Sequence, residues 1–175
     1  MHALDDVFCV VFTVGLIEYQ QVLYEDASLI RMKESLALFK QWANHKVFSK
    51  APIILAFTKR DTYEQTFSAA GLTKAFPDFA GSTPVEGIAF LKDKFQETLT
   101  KREASVPFKT FVLDTTSADE SLSLLNAVRQ LVATHRADFL MNAVHYAVEA
   151  RKKEKKRRGT LGMGGVLRRG SIANK

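Results

Sequence analysis

The sequence predicts an α/β fold in which a partial doubly wound parallel sheet carries helices on both faces. Three observations lead there. The runs Val7 to Leu16, Pro52 to Phe57 and Phe108 to Leu113 are β-branched, aromatic and almost continuously apolar, as strands buried on both faces are. The segments between and after them repeat apolar residues at helical spacing, with capping signals at their starts. The resulting order alternates strand and helix, and right-handed crossovers make such strands parallel neighbours.

Each element has its own justification. VFCVVFTVGL, from Val7 to Leu16, reads as a central strand covered by helices on both sides. Leu29, Met32, Leu36, Phe39 and Ala43 then mark one helical face. The second strand is Pro52 to Phe57. Thr83 and Glu86 form a capping box with Pro84 at the first helical position, and Ala89, Phe90, Lys94 and Phe95 carry that helix toward Leu99. After the third strand, Ser117 and Glu120 form another box, ahead of a stripe of Leu124, Leu125, Val128, Leu131 and Val132.

Composition narrows the class. With 46% apolar and 25% charged residues over 175 positions, the chain is not disordered throughout. Its single cysteine, Cys9, excludes an intrachain disulfide framework and a multi-cysteine zinc site, and suits a reducing compartment. The longest apolar run, Val7 to Ile17, is about half of the ~20 residues a bilayer span requires. Asp5 and Asp6 stand where a signal peptide would be basic. An intracellular, soluble chain is expected. Its charge is unevenly spread: residues 151–175 hold ten Lys or Arg against Glu154 alone, whereas residues 1–150 hold 15 basic and 18 acidic side chains. The net +6 therefore comes wholly from the carboxyl-terminal segment.

In open α/β sheets ligands sit beyond the carboxyl ends of the strands. Thr58 to Asp61 and Asp114 to Ser117 are therefore the places to seek a site. FTKRD follows the second strand. A carboxylate at Asp61 can accept hydrogen bonds from the ring N–H and the exocyclic amine of guanine. Adenine lacks that donor pair, so the wrong base would leave polar groups unsatisfied. The stem of Lys59 can lie over the base plane. A solvated, charge-rich turn is the alternative reading of these few residues.

The surrounding sequence adds a longer pattern. YQQVLYEDASLIRMKESLALF, Tyr19 to Phe39, closely resembles the stretch of heterotrimeric G-protein alpha subunits that reads roughly YDQVLYEDExxNRMxESLxLF. Asn44, Lys46 and Phe48 fall on the family's NxKxF, and PIILAFTKRD is similar to its SIILFLNKKD. FPDFAGSTPVEGIAFLKDKFQETLTKR, Phe76 to Arg102, resembles FPEYAGxxxxEEAxxYIxxKFxxLNxR, and His2, Asp6 and Val7 match HxFxDV. The likeness runs from His2 to about Ala133.

This resemblance implies the carboxyl-terminal half of a Ras-like P-loop GTPase domain, over residues 1–143, with residues 144–175 a helix extension and a basic, disordered tail. By position, Asp61 would recognise guanine, Lys59 would pack on the base, and Thr58 would brace the loop where most alpha subunits have asparagine. The family's TCAT loop corresponds to Leu113, Asp114, Thr115 and Thr116. There Thr115 replaces the alanine whose backbone N–H faces the guanine carbonyl, and Asp114 brings an acid near that carbonyl. GTP and GDP are the implied ligands. A beta-gamma dimer, effectors and a receptor are the implied partners, with His45 and Val47 in a region the family uses for effectors. The implied location is cytoplasmic, at the inner face of the plasma membrane.

No GxxxxGK[ST] occurs in these residues, nor the family's switch arginine, magnesium-binding threonine or DxxGQ segment. Phosphoryl transfer depends on those parts, so the chain as written is expected not to hydrolyse GTP, to contain no catalytic residue or metal site, and to bind free nucleotide weakly. Magnesium is expected only in the complete protein. Val7 to Leu16 would lose a neighbour and become an apolar edge, which points to an incomplete product such as a truncated gene model.

Past Ala143 the last helix is expected to continue on Leu140, Val144, Ala147 and Val148. RKKEKKRR, Arg151 to Arg158, is a polybasic block suited to an anionic membrane surface. Nucleic acid is a poorer match, because residues 151–175 contain no Phe, Tyr or Trp for base stacking. RRGTL and RRGSI place Thr160 and Ser171 after paired arginines, the pattern basophilic kinases read. Two readings follow: a guanine-nucleotide switch present as its carboxyl-terminal half, or a non-catalytic effector- or membrane-binding module with a polybasic tail.

Overall fold

The computed structural model describes residues 7–103 and 105–164, with side chains for all of these except Ala143 and residues 155–164. It comprises two compact units that divide between His135 and Arg136. In the first, strands β1 (Val10–Gly15), β2 (Ile53–Thr58) and β3 (Phe108–Val112) form a parallel sheet in the order β1-β2-β3. The register pairs Val10 with Ile53 and Ile53 with Phe108. Helix α1 (Arg31–Ala43) connects β1 to β2. Helices α2 (Arg60–Thr66), α3 (Ala69–Ala75) and α4 (Pro84–Glu97) connect β2 to β3. Helix α5 (Ala118–Gly164) follows β3.

The α/β class, the parallel sheet and the helices on both faces are as the sequence predicts. The central position falls to β2 rather than to the first apolar run. Ile53 to Phe57 are buried throughout, because β2 has a strand on each side and helices above and below. The strand within Val7 to Leu16 shortens to Val10–Gly15 at the edge, where Val11 is 42% exposed. Alternation along β1 sends Phe12 against Phe39 and leaves Val11 and Thr13 outward.

The helical stripes of α1 and α5 lie mostly where expected, with Leu36, Leu124 and Val128 packed against the buried residues, and they depart at single positions. Met32, Phe39 and Ala43 are buried on α1, but Leu29 precedes the helix and is exposed, its N–H donating to the Asp26 carbonyl at 3.1 Å. On α4 the buried face is Gly87, Leu91 and Phe95 at four-residue spacing, whereas Ala89 is exposed. That helix ends at Glu97, short of Leu99. Its capping box forms as expected: Thr83 Oγ1 accepts from the Glu86 N–H, and the Glu86 carboxylate accepts from the N–H groups of Ser82 and Thr83. Along α5 the buried residues are Ala127 and Leu131, and Leu125 is exposed. Helices α2 and α3 were not apparent in the periodicity, because each lasts only 7 residues and buries one or two of them.

Candidate functional site

Beyond the carboxyl ends of β2 and β3 two loops are joined by a short chain of hydrogen bonds. The Leu113 N–H donates to the Phe57 carbonyl at 2.8 Å, completing the ladder, and the Arg60 N–H donates to the Leu113 carbonyl at 3.2 Å. The Arg60 guanidinium then reaches Glu120 Oε1 at 2.6 Å, and the other oxygen of Glu120 accepts from the Asp114 N–H at 2.7 Å. Glu120 thus spends its carboxylate on the neighbouring loops rather than on the expected return bond to Ser117. Only half of that capping box exists: Ser117 Oγ accepts from the Glu120 N–H at 3.4 Å, while the Ser117 N–H donates to the Asp114 carbonyl.

Thr58 ends β2 with its hydroxyl donating to the Val14 carbonyl, 3.3 Å away on β1. Lys59 has φ 61° and ψ 39°, the one non-glycine residue of positive φ among those described. An L-residue costs about 1–2 kcal/mol there, so the turn is held by its surroundings. The Lys59 carbonyl accepts from the Tyr63 N–H at 3.0 Å and opens α2. Tyr63 is fully buried and anchors that helix, its hydroxyl donating to the Pro84 carbonyl at 3.1 Å; burial raises its pKa well above the ordinary phenol value. The backbone reversal leaves the Lys59 side chain exposed and Asp61 half-buried on the first turn of α2. One Asp61 oxygen accepts from Thr62 Oγ1 at 3.2 Å.

In the second loop, the Asp114 carboxylate curls back on its own turn. Its Oδ1 accepts from the Thr116 N–H at 2.8 Å and the Thr116 hydroxyl at 2.6 Å. These donors, helped by the Arg60 charge, hold the carboxyl below the usual range. Thr115, between them, is exposed.

The fold therefore brings Thr58, Lys59 and Asp61 to the junction of β2 with α2 and Thr115 to the adjoining loop after β3. Arg60 and Glu120, which join the two, were missed in the sequence reading. Their signals were present, as the unexplained residue of TKRD and the acid of a capping motif. His45 and Val47 lie elsewhere, in the turn after α1, where His45 Nδ1 accepts from the Val47 N–H at 3.3 Å. Asn44 clamps that turn, donating to the Thr98 carbonyl and accepting from the N–H groups of Thr100 and Lys101. Thr160 lies within α5 beyond the described side chains, and Ser171 lies outside the described residues. Among the described residues no three His, Cys, Asp or Glu side chains cluster as metal ligands. No helix among them is long and apolar enough to cross a membrane.

A three-stranded parallel sheet flanked by helices, with paired loops beyond its strand ends, is consistent with part of a Ras-like GTPase domain. The family model of the G-protein alpha subunit matches residues 1–132, and the chain belongs to that family. It is 39% identical over 112 residues to the guanine nucleotide-binding protein alpha-8 subunit of Dictyostelium discoideum, covering 63% of this chain and 27% of that protein. The alpha-2 subunit of Caenorhabditis briggsae is 37% identical over 122 residues, covering 69% and 33%. The G(o) alpha subunit of Locusta migratoria is 38% identical over 97 residues, covering 55% and 27%. The chain thus spans about a third or less of these relatives' length.

Proposed function

We propose that residues 58–61 and 113–116 are the base-recognition loops of a guanine-nucleotide signalling switch of the G-protein alpha type. Asp61 accepts the two guanine N–H donors, the Lys59 stem covers the base, Thr58 braces the first loop, and the Thr115 N–H meets the guanine carbonyl. The observation that carries the reading is the left-handed Lys59 beside the Arg60–Glu120–Asp114 chain. It fixes two loops at adjacent strand ends, where open α/β sheets hold ligands. GTP and GDP are the ligands of this proposal, with phosphate and magnesium chemistry belonging to the longer protein. A beta-gamma dimer, effectors at the His45–Val47 turn and a receptor are its partners.

Displacement of a fluorescent GDP tests the base contact. Asp61→Asn exchanges an acceptor for a donor, which suits the second carbonyl of xanthine in place of the guanine amine. Guanine affinity should fall at least ~10-fold while xanthosine diphosphate gains. Equal binding of both nucleotides by the parent and the variant would end the proposal.

The basic block Arg151 to Arg158, which continues α5, supports a location at the inner face of the plasma membrane through attraction to anionic lipid. It also favours a second reading, in which the chain is a non-catalytic membrane- or effector-binding module. Thr160 and Ser171 are the proposed phosphorylation sites, where two phosphates would remove roughly 3 to 4 charges. Vesicle binding unchanged by Thr160→Glu with Ser171→Glu would defeat that switch.

A further inference from the structure

The second unit has a pattern separate from the nucleotide loops. At about 100° per residue, Leu140, Met141, Val144, Ala147 and Val148 share one arc of α5; Asp138, Asn142, His145 and Glu149 form a polar arc beyond it on one side, and the exposed Phe139 and Tyr146 lie beyond it on the other. The apolar arc is open to solvent: Leu140 is 55% exposed, Met141 70%, Val144 59% and Val148 43%. Next along the same helix comes the basic block, where Lys152 Nζ lies 2.9 Å from Glu149 Oε1. Residues 151–175 carry ten basic side chains and one acidic.

We infer that this part of α5 is an interfacial anchor, lying in the plane of an anionic lipid surface with its apolar arc in the acyl boundary and its basic block on the headgroups. The inference rests on the proposed membrane role of residues 151–175 and extends it from charge attraction to insertion. An exposed apolar arc continuous with a dense run of positive charge has the composition of helices that lie in membrane interfaces. A parallel helix pair formed with a second copy would set two such segments side by side, which is repulsive. The two contributions separate by salt, since charge attraction is screened and apolar burial is not.

The test is sedimentation of the full chain with vesicles of phosphatidylcholine, alone or mixed with phosphatidylserine, at low and high salt. Leu140→Ala, Val144→Ala and Val148→Ala together shrink the apolar arc while favouring helix, and Asn142→Ala is the control on the polar arc. The triple variant should lose at least ~10-fold in partitioning onto anionic vesicles, including the salt-resistant part, and the control should bind as the parent does. Parent-like binding by the triple variant, with all binding abolished by salt, would overturn insertion and leave the electrostatic reading standing. If the parent ignores anionic vesicles, both fall. A parent dimer that the triple variant renders monomeric would make the arc a self-association face and overturn the inference.

Discussion

On one face of the sheet Ile53, Leu55 and Phe57 join Phe39, Tyr63, Leu91 and Phe95 in a continuous core, with the Phe57 and Phe95 rings edge to face and their centroids 5.4 Å apart. On the other face Ile54 meets Ala127 and Leu131, with Cys9, Phe111, Leu124 and Val128 around them. Four helices cover the first face or its margins, whereas the first part of α5 covers the second. The difference teaches that a run of apolar residues specifies burial only where a neighbour exists to provide it. Phe12 and Val11 are adjacent in sequence, yet only Phe12 faces the helices that bury it.

The largest effect should come from Phe95→Ala, which removes a fully buried ring from the first face and should cost ~3–5 kcal/mol in denaturant unfolding. Gly87→Ala should follow at ~3 kcal/mol, because a Cβ there would stand 2.2 Å from the Tyr63 hydroxyl and 2.9 Å from Phe67. Adding Tyr63→Phe should recover part of that loss, which would locate the crowding at the hydroxyl. Leu131→Ala on the second face should cost only ~2 kcal/mol, since the site is less enclosed. A cost equal to that of Phe95→Ala would break the contrast between the faces.

The smallest effect is on pH. Glu86 at the start of α4 and Asp114 ahead of α5 both have carboxyls held below their ordinary values, Glu86 by the N–H groups of Ser82 and Thr83 and Asp114 by Thr116. A lowered folded pKa stabilises above the unfolded carboxylate value, about 4, and that contribution disappears as pH falls through the folded value. Thermal midpoints measured downward from neutral pH should therefore drop in acid. The drop should be smaller with Glu86→Gln than in the parent, and likewise with Asp114→Asn.

Much of the site and fold was legible in the sequence. The strand at Pro52 to Phe57 announced itself by being apolar at every position, and Pro84 with Thr83 and Glu86 fixed the start of α4, because these are local signals. The base-binding role of FTKRD is a proposal, but that it stands at the end of a strand was legible, since it directly follows an apolar run. Helices α2 and α3 were not, because they are too short for a period to emerge. Nor was the true face of α4, where Gly87 is buried against Tyr63 and so carries no apolar signal.

What the sequence determined by itself was the alternation of strands and helices, the family, the loop positions of Thr58, Lys59, Asp61 and Thr115, and the segregation of positive charge beyond residue 150. Only the tertiary structure decided that Glu120 serves Arg60 and the Asp114 backbone rather than its own helix cap, and that Asp114 turns onto Thr116. The physical reason is range. Periodicity and capping act over a few residues, whereas strand order and a carboxylate's choice among donors depend on groups that are 6 to 60 positions apart until the chain folds.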